Sequence, residues 1–353
     1  MRKVNLFLII GLLIFGVGCD YNFLDLMRVK SSSGIENIHY SGRFDLSIPL
    51  APRFEWSGTS IGAHFKGTGV SMMLNSGGVN YFEVLIDGTS VSPVVTSTGN
   101  ETFILASGLT NGEHDVLVIR RTEATSLPVS FLGFTITGGS IIASVSPWSH
   151  RIEYIGDSIL NGYGLLGPNE LCSYSAATQS AWQTYAAVAG CDLKADTHII
   201  AYSGKGVYQN YGGNLTDPMP TLYTRTIPTE SGSTWGFSAK ADVVIIHLGG
   251  NDFTAAVNQS SFETAYINLI NLVRSHHPAA VIYCVNGATF STTANTYISN
   301  SVTNSGDSNT HLLTLPAPIL PADGYGCDWH PSAVTHARWG GIVAARLRAD
   351  LGW

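Results

Sequence analysis

Three polar side chains and one glycine loop are the best candidates for chemistry in this sequence. Ser158, within Gly-Asp-Ser, comes directly after an apolar run, and so do the segments that hold Gly204 and Asn251. His330 comes just before the last amphipathic segment of the chain. A serine hydroxyl beside an imidazole can attack an acyl carbonyl, while backbone amides and an asparagine amide can stabilise the oxyanion that forms. These residue types indicate acyl transfer without a metal or another cofactor.

Each of these segments, taken singly, also has a structural interpretation. Gly-Asp-Ser is as typical of a turn and a helix N-cap as of a nucleophile. Any one of the eleven histidines is more often structural than catalytic. A catalytic interpretation is favoured over the structural one because four such segments occur along the chain. Each lies beside the end of a predicted strand or the start of a predicted helix.

The elements that must position these residues are predicted from residue 151 onward. Apolar runs at 152–155, 243–248 and 281–285 indicate buried parallel strands. Helical spacing over 262–273 predicts an amphipathic helix between two of them. A last helix is predicted over 332–351, with a narrow packing stripe formed by Val334, Ala337, Gly341 and Ala344. Alternating strands and helices predict a doubly wound α/β sandwich over 151–353, with its ligand at the carboxyl ends of the strands.

The region 31–140 has a different pattern, typical of an all-β domain. Short apolar stretches alternate with Gly, Asn, Asp and Ser at intervals of 8 to 12 residues. Asp87-Gly88 and Asn111-Gly112 have the composition of tight hairpin turns. We expect an antiparallel sandwich here, joined to the α/β region through 140–149.

The beginning of the chain is typical of an export signal. Residues 1–18 combine Arg2 and Lys3 with an apolar run of fourteen residues, which is too short to cross a bilayer. Gly-Val-Gly before Cys19 resembles a bacterial lipoprotein box, although Gly16 stands where leucine is usual. We expect lipidation at Cys19, followed by a linker over 19–30 and a location in the periplasm or on the cell surface. The alternative is an ordinary secretory signal cleaved at the same bond.

Composition and cysteine content narrow the possible partners. The net charge is −7 and only 12% of residues are charged, which argues against nucleic acid or an anionic lipid surface as a partner. Membrane contact is expected only through the lipid anchor.

An exported protein can form disulfides, and four cysteines besides Cys19 allow three pairings. Cys284, inside an apolar run, is expected to be a buried thiol.

The order of the four segments resembles that of the SGNH hydrolases, also called GDSL esterases, over 151–353. Three motifs are similar to those of the family-2 carbohydrate esterases in particular: GDSILNGYG at 156–164, LGGNDF at 248–253 and GCDWHPS at 326–332. The stretch 67–88 resembles that family's N-terminal domain. The resemblance implies an all-β jelly-roll sandwich followed by an SGNH three-layer α/β sandwich with a parallel sheet. It also implies removal of acetyl groups from plant polysaccharides or oligosaccharides such as xylan and mannan.

The resemblance implies a role for each residue. Ser158 would be the nucleophile and His330 the general base, with the Ser158 amide, a Gly204 amide and the Asn251 side chain forming the oxyanion hole. Most SGNH enzymes have an aspartate three residues before the histidine, where this chain has a cysteine. We expect Asp328, two residues before, to orient the imidazole, and a backbone carbonyl is the alternative.

Three aromatic residues near these loops are candidates for stacking on a sugar: Tyr163, Trp235 and Trp329. Two other functions stay open at this point. The same residues could act on a lipid ester or on a microbial glycan, because the fold alone does not choose the acyl group. A carbohydrate-binding protein that has lost turnover is the other alternative.

Overall fold

The computed structural model of the chain describes residues 37–143 and 148–353. The predicted signal segment 1–18, Cys19 and the linker 19–30 therefore lie outside the described residues.

The first half of the chain forms one antiparallel sheet of nine strands. The strands are β1 (Ile38–Ser41), β2 (Arg53–Phe54), β3 (Ser60–Ser76), β4 (Tyr81–Ile86), β5 (Thr89–Ser90), β6 (Val94–Val95), β7 (Gly99–Arg120), β8 (Val129–Thr137) and β9 (Ser140–Ala143). The two long strands β3 and β7 pair with each other and form the spine of the sheet. Its apolar face encloses a core rich in phenylalanine and valine. The predicted all-β class is confirmed.

The two predicted turns have different outcomes. Asp87 and Gly88 both have positive φ, 51° and 75°, and connect β4 to β5 as a tight turn. Asn111 and Gly112 instead lie inside β7, so this predicted turn is wrong. Gly112 pairs with Gly67, next to an irregularity in the register of β3 and β7. Glycine at these two positions allows the paired strands to bend at the irregularity.

The second half of the chain contains a parallel sheet of five strands in the order β11-β10-β12-β13-β14. The strands are β10 (His150–Gly156), β11 (Ala195–Ala201), β12 (Val243–His247), β13 (Val281–Gly287) and β14 (Thr310–Leu315). The predicted α/β class is confirmed, although β14 was not predicted. The chain reverses direction across the sheet between β11 and β12, which flank β10 on opposite sides. The crevice at the carboxyl end of β10 is therefore the topological switch point where such sheets bind ligands.

Helices cover both faces of this sheet. They are α1 (Ser158–Asn161), α2 (Tyr185–Asp192), α3 (Met219–Tyr223), α4 (Gln259–His276), α5 (Thr292–Asn304) and α6 (Ala333–Leu351). Helices α3, α4 and α5 pack on one face, while α2 and α6 pack on the other. The result is three layers. None of the helices within 37–143 and 148–353 is long and apolar enough to cross a membrane.

The predicted packing stripe of α6 is wrong for two of its four residues, while Ala344 is buried as expected. Val334 and Gly341 are exposed, whereas His336, Trp339 and Gly340 are buried. Gly340 faces α2, where a Cβ would lie 2.5 Å from Val188 Cγ1. The large Trp339 ring, which the small-residue pattern left out, turns the buried face of the helix toward the sheet.

The two regions are joined by a buried ion pair. Arg43, from the β region, is fully buried and lies 3.5 Å from Glu153 on β10. It also donates to the carbonyl of Arg225 at 3.0 Å, and its guanidinium lies over the rings of Tyr223 and Phe237. Burial alone would raise the pKa of Glu153, but the facing charges hold it at about 2. The pair is thus charged at neutral pH.

Two adjacent glycines of α6 give opposite predictions for stability. G340A places a methyl group against Val188 in a packed interface, so we expect a loss of about 1–3 kcal/mol in the free energy of unfolding. G341A meets no atom within 4 Å and gains about 1 kcal/mol of helix propensity. Urea unfolding of both variants measures the difference, and equal effects would contradict the packing described here.

Candidate active site

Ser158 lies at the switch point, on the first residue of α1. The preceding Asp157 caps this short helix, since its Oδ1 accepts a hydrogen bond from the Ile159 amide at 3.1 Å. Burial raises the pKa of Asp157 to about 7, and the nearby carboxylate of Asp252 acts in the same direction. The turn from strand to helix leaves the Ser158 side chain partly exposed.

The imidazole of His330 reaches this serine. Its Nε2 lies 2.9 Å from Ser158 Oγ, and its Nδ1 lies 3.0 Å from the backbone carbonyl oxygen of Asp328. A carbonyl only accepts hydrogen bonds, so Nδ1 carries the proton and Nε2 accepts from the serine hydroxyl. Burial lowers the pKa of His330, while the Asp328 carbonyl and carboxylate oppose that shift. The neutral imidazole that a general base requires is therefore favoured at neutral pH.

A strained turn aims this carbonyl at the ring. Asp328 and Trp329 both have positive φ, 52° and 61°, which is rare for residues other than glycine. Cys327 forms a disulfide with Cys172, and the Asp328 amide donates to the Cys172 carbonyl at 3.0 Å. The Cys327 amide is also anchored, because it donates to the Gly164 carbonyl at 2.9 Å. These contacts hold the turn in place.

The carboxylate of Asp328 does not make the contact expected of it. Its Oδ2 accepts from the Tyr174 amide at 2.9 Å and from the Tyr163 hydroxyl at 3.3 Å. The expectation that this side chain orients His330 is corrected, since the alternative carbonyl does so. The physical reason is the two-residue spacing. The turn that brings His330 to the serine points the Asp328 carbonyl inward and its side chain toward the surface.

The expected oxyanion donors lie on the loops that flank Ser158. Gly204, with φ of 78°, follows Ser203 in a turn closed by the Lys205 amide and the Tyr202 carbonyl at 3.2 Å. This positive φ is one that glycine adopts readily at the third position of a turn. The loop after β11 thus brings a glycine amide to the carboxyl end of the sheet.

Asn251 follows β12 on the other side. Its Nδ2 donates to Asp157 Oδ2 at 3.1 Å and to the Lys205 carbonyl at 2.9 Å. Both amide hydrogens are therefore directed at protein acceptors, which fix the side chain before a substrate arrives. Donation to an oxyanion requires one of these hydrogens to be shared.

The three candidate aromatic residues have different positions. The Tyr163 ring stacks on that of Tyr174 with centroids 4.0 Å apart and lies 4.4 Å from the His330 ring. Trp329 is 63% exposed beside the histidine. Trp235 instead packs against Phe237 and the Arg43 guanidinium, in the cluster that joins the two regions. None of the described contacts of Trp235 reaches Ser158 or His330, so its expected role in substrate binding is corrected: its ring packs beside a cation in this cluster.

Several residues that shape the site were not predicted from the sequence. Asp252, fully buried, accepts from the amides of Val207, Tyr208 and Gln209 at 2.8–3.0 Å and ties the loop after β12 to the loop after β11. Tyr174 was also missed, and the pairing of Cys172 with Cys327 is one that the sequence had left open. Asp252 directly follows Asn251, so its position in the motif was the one available signal. Cys284 is a buried free thiol, as predicted.

Across 37–143 and 148–353, no group of three or more His, Cys, Asp or Glu side chains is placed to hold a metal ion.

Two family matches define the class of this protein. Residues 154–338 match the GDSL-like Lipase/Acylhydrolase family, and residues 40–145 match the family described as Carbohydrate esterase 2 N-terminal. The fold and the serine–histidine pair are thus those of a GDSL-type hydrolase. Within that class, the chain belongs to carbohydrate esterase family 2.

Individual relatives agree with this assignment. The solved structure of a family two carbohydrate esterase from Clostridium thermocellum, in complex with cellohexaose, is 37% identical, with a TM-score of 0.86 over 90% of this chain and 99% of that chain. Cellulase/esterase CelE of Acetivibrio thermocellus is 37% identical over 90% of this chain. The matched region spans 40% of the length of CelE. An acetylxylan esterase / glucomannan deacetylase of Cellvibrio japonicus is 24% identical over 84% of this chain and 86% of its own length.

Because a backbone carbonyl, and not the Asp328 carboxylate, holds the His330 imidazole, we expect D328N to have a small effect on activity. We expect kcat to fall less than about tenfold, compared with ~10⁴ for the aspartate of a protease triad. The negative charge of Asp328 raises the pKa of His330. Its removal therefore lowers that pKa, and the acid limb of kcat/KM moves to lower pH. Kinetics on a small acetate ester across pH measure both effects.

The control for this variant is D87N, which also has positive φ and lies in the β region. It should leave kcat and the pH profile unchanged, while H330A should be inactive. A loss of 10³ or more in D328N would show that the carboxylate orients the imidazole, and an unmoved acid limb would show that the charge of Asp328 does not act on His330.

Proposed function

We propose that this protein is an exported carbohydrate O-acetyl esterase. It removes acetyl groups from plant cell-wall polysaccharides or oligosaccharides such as xylan and mannan, through an acyl-enzyme on Ser158. The observation that carries the proposal is the 2.9 Å contact between His330 Nε2 and Ser158 Oγ, with Nδ1 held by a carbonyl. Export and attachment through Cys19 stay predictions of the sequence.

The names of relatives support the substrate class. One curated relative is named for acetylxylan and glucomannan, and one solved relative holds cellohexaose. In this chain, the exposed Trp329 and the Tyr163–Tyr174 stack border the serine–histidine pair. Flat aromatic surfaces beside the nucleophile suit the apolar faces of sugar rings. An acetylated polysaccharide is therefore favoured over a free small ester.

The proposed mechanism follows from the hydrogen bonds of the site. His330 Nε2 takes the hydroxyl proton as Ser158 Oγ attacks the acetyl carbonyl. The amides of Ser158 and Gly204 and the side chain of Asn251 stabilise the tetrahedral oxyanion. His330 then gives its proton to the leaving sugar oxygen, which leaves an acetyl group on the serine. Water, deprotonated by the same imidazole, releases acetate and restores the hydroxyl.

The substrate assignment is tested by comparing esters. The purified protein is assayed on acetylated xylan, acetylated glucomannan, a small acetate ester and an octanoate ester. We expect acetate release from the polysaccharides, little turnover of octanoate, and no activity in a folded S158A variant. Comparable rates on acetate and octanoate would support a lipid-directed esterase instead. Binding of xylan without acetate release would support a carbohydrate-binding protein, and turnover by S158A would remove the mechanism.

The oxyanion role of Asn251 gives a separate prediction. N251A should lower kcat by roughly 10² to 10³, the usual loss for one oxyanion donor, with little change in KM. Steady-state kinetics on the acetate ester provide the measurement. A normal kcat with a raised KM would make Asn251 a residue that positions substrate.

A further inference from the structure

A carboxylate from the β region is buried next to the proposed oxyanion hole. Glu123 follows β7 and is 2% exposed. Its Oε2 accepts from the Ser203 amide at 3.0 Å and from Asn161 Nδ2 at 3.0 Å. Burial raises the pKa of Glu123, while the two hydrogen bonds from Ser203 and the charge of Arg120 oppose that shift. One oxygen atom thus receives donors from two different loops of the α/β region.

These two loops are the ones that carry the proposed oxyanion amides. Ser203 immediately precedes Gly204 in the turn after β11. Asn161 is the last residue of α1, which begins with Ser158. Asn161 Nδ2 also lies 3.3 Å from Ser203 Oγ, so the two loops touch directly at this point. The position of Glu123 therefore fixes how the loop after β10 lies against the loop after β11.

The segment that bears Glu123 is itself held firmly. The fully buried Arg120 donates to the carbonyls of Thr122, Glu123 and Leu127 at 2.8–3.1 Å, which closes the chain around its guanidinium. The Glu123 amide donates to Gln179 Oε1 at 3.3 Å. Because its backbone is fixed on both sides, the carboxylate is a rigid support for the loops it contacts.

We propose that Glu123 is a positioning residue of the active site, supplied by the β region. It aligns the Ser158 and Gly204 amides by holding Ser203 and Asn161 at one oxygen atom. The proposal rests on the proposed function, which makes these two amides oxyanion donors. The β region is then part of the catalytic unit, and its contribution acts on the transition state rather than on substrate binding.

Three variants of Glu123 test this role. E123A removes both hydrogen bonds, and we expect kcat on a small acetate ester to fall about 10- to 100-fold with KM little changed, a loss below that of a whole oxyanion donor. E123Q keeps an acceptor oxygen at the same distance and should recover most of kcat. E123D keeps the charge but draws the oxygen back by one methylene, so its kcat should lie near that of E123A.

The matched control is Glu55, another fully buried acid of the β region. It also accepts from a backbone amide and a hydroxyl across the boundary, from Thr229 N at 3.0 Å and Thr229 Oγ1 at 2.7 Å. E55A therefore carries a comparable cost in stability, while Thr229 lies outside the proposed active site. We expect E55A to lower the unfolding temperature and to leave the kcat of the folded protein unchanged.

Hydrogen exchange gives a readout that does not need activity. The amides of residues 203–205 should exchange faster in E123A than in the wild type or in E55A. If the wild type fails to cleave any acetate ester, the proposed function fails, and exchange still decides whether Glu123 holds this loop. Equal kcat losses in E123A and E55A would overturn the positioning role. Unchanged kcat or unchanged exchange in E123A would also overturn it. If E123A does not fold, the same result in E123D would overturn it.

Discussion

The hydrogen bond between the Asp328 carbonyl and His330 Nδ1 is the constraint on which the site depends. To make it, the chain passes through two consecutive left-handed residues, each of which costs on the order of 1–3 kcal/mol unless its surroundings compensate. The disulfide at Cys327 and the hydrogen bond from Asp328 to Cys172 supply that compensation. A loop distant in sequence is therefore needed to keep one imidazole in one tautomer.

Buried charge makes the two regions of the protein interdependent. Arg43 pairs with Glu153, and Glu55 and Glu123 accept from residues of the α/β region. Buried ions without partners are strongly unfavourable, so each of these groups requires the other region for its hydrogen bonds. The Ser41 hydroxyl adds a further link, to the carboxylate of Asp196. Separating the regions would leave several charges unpaired at once.

Sequence patterns predicted the layers and the parallel strands because strand burial leaves a continuous apolar run. They also placed Ser158 and His330 on loops that meet at one edge of the sheet. The patterns failed where the outcome depended on contacts across the chain. The stripe of α6 depended on a tryptophan, the role of Trp235 depended on a buried arginine, and the side chain of Asp328 depended on the direction of a strained turn. Local spacing contains no information on such contacts. The disulfide pairing was left open among three possibilities for the same reason.

The bond between Cys172 and Cys327 spans 155 residues and encloses most of the α/β region. Ser158 lies before this covalent ring and His330 lies after it. A single proteolytic cut anywhere inside the ring would divide the backbone without dividing the molecule. The fragment with Ser158 and the fragment with His330 would stay covalently joined, through a bond 14 residues after Ser158 and three residues before His330. Nicking of the surface loops between residues 172 and 327 would therefore leave Ser158 and His330 in one covalent molecule.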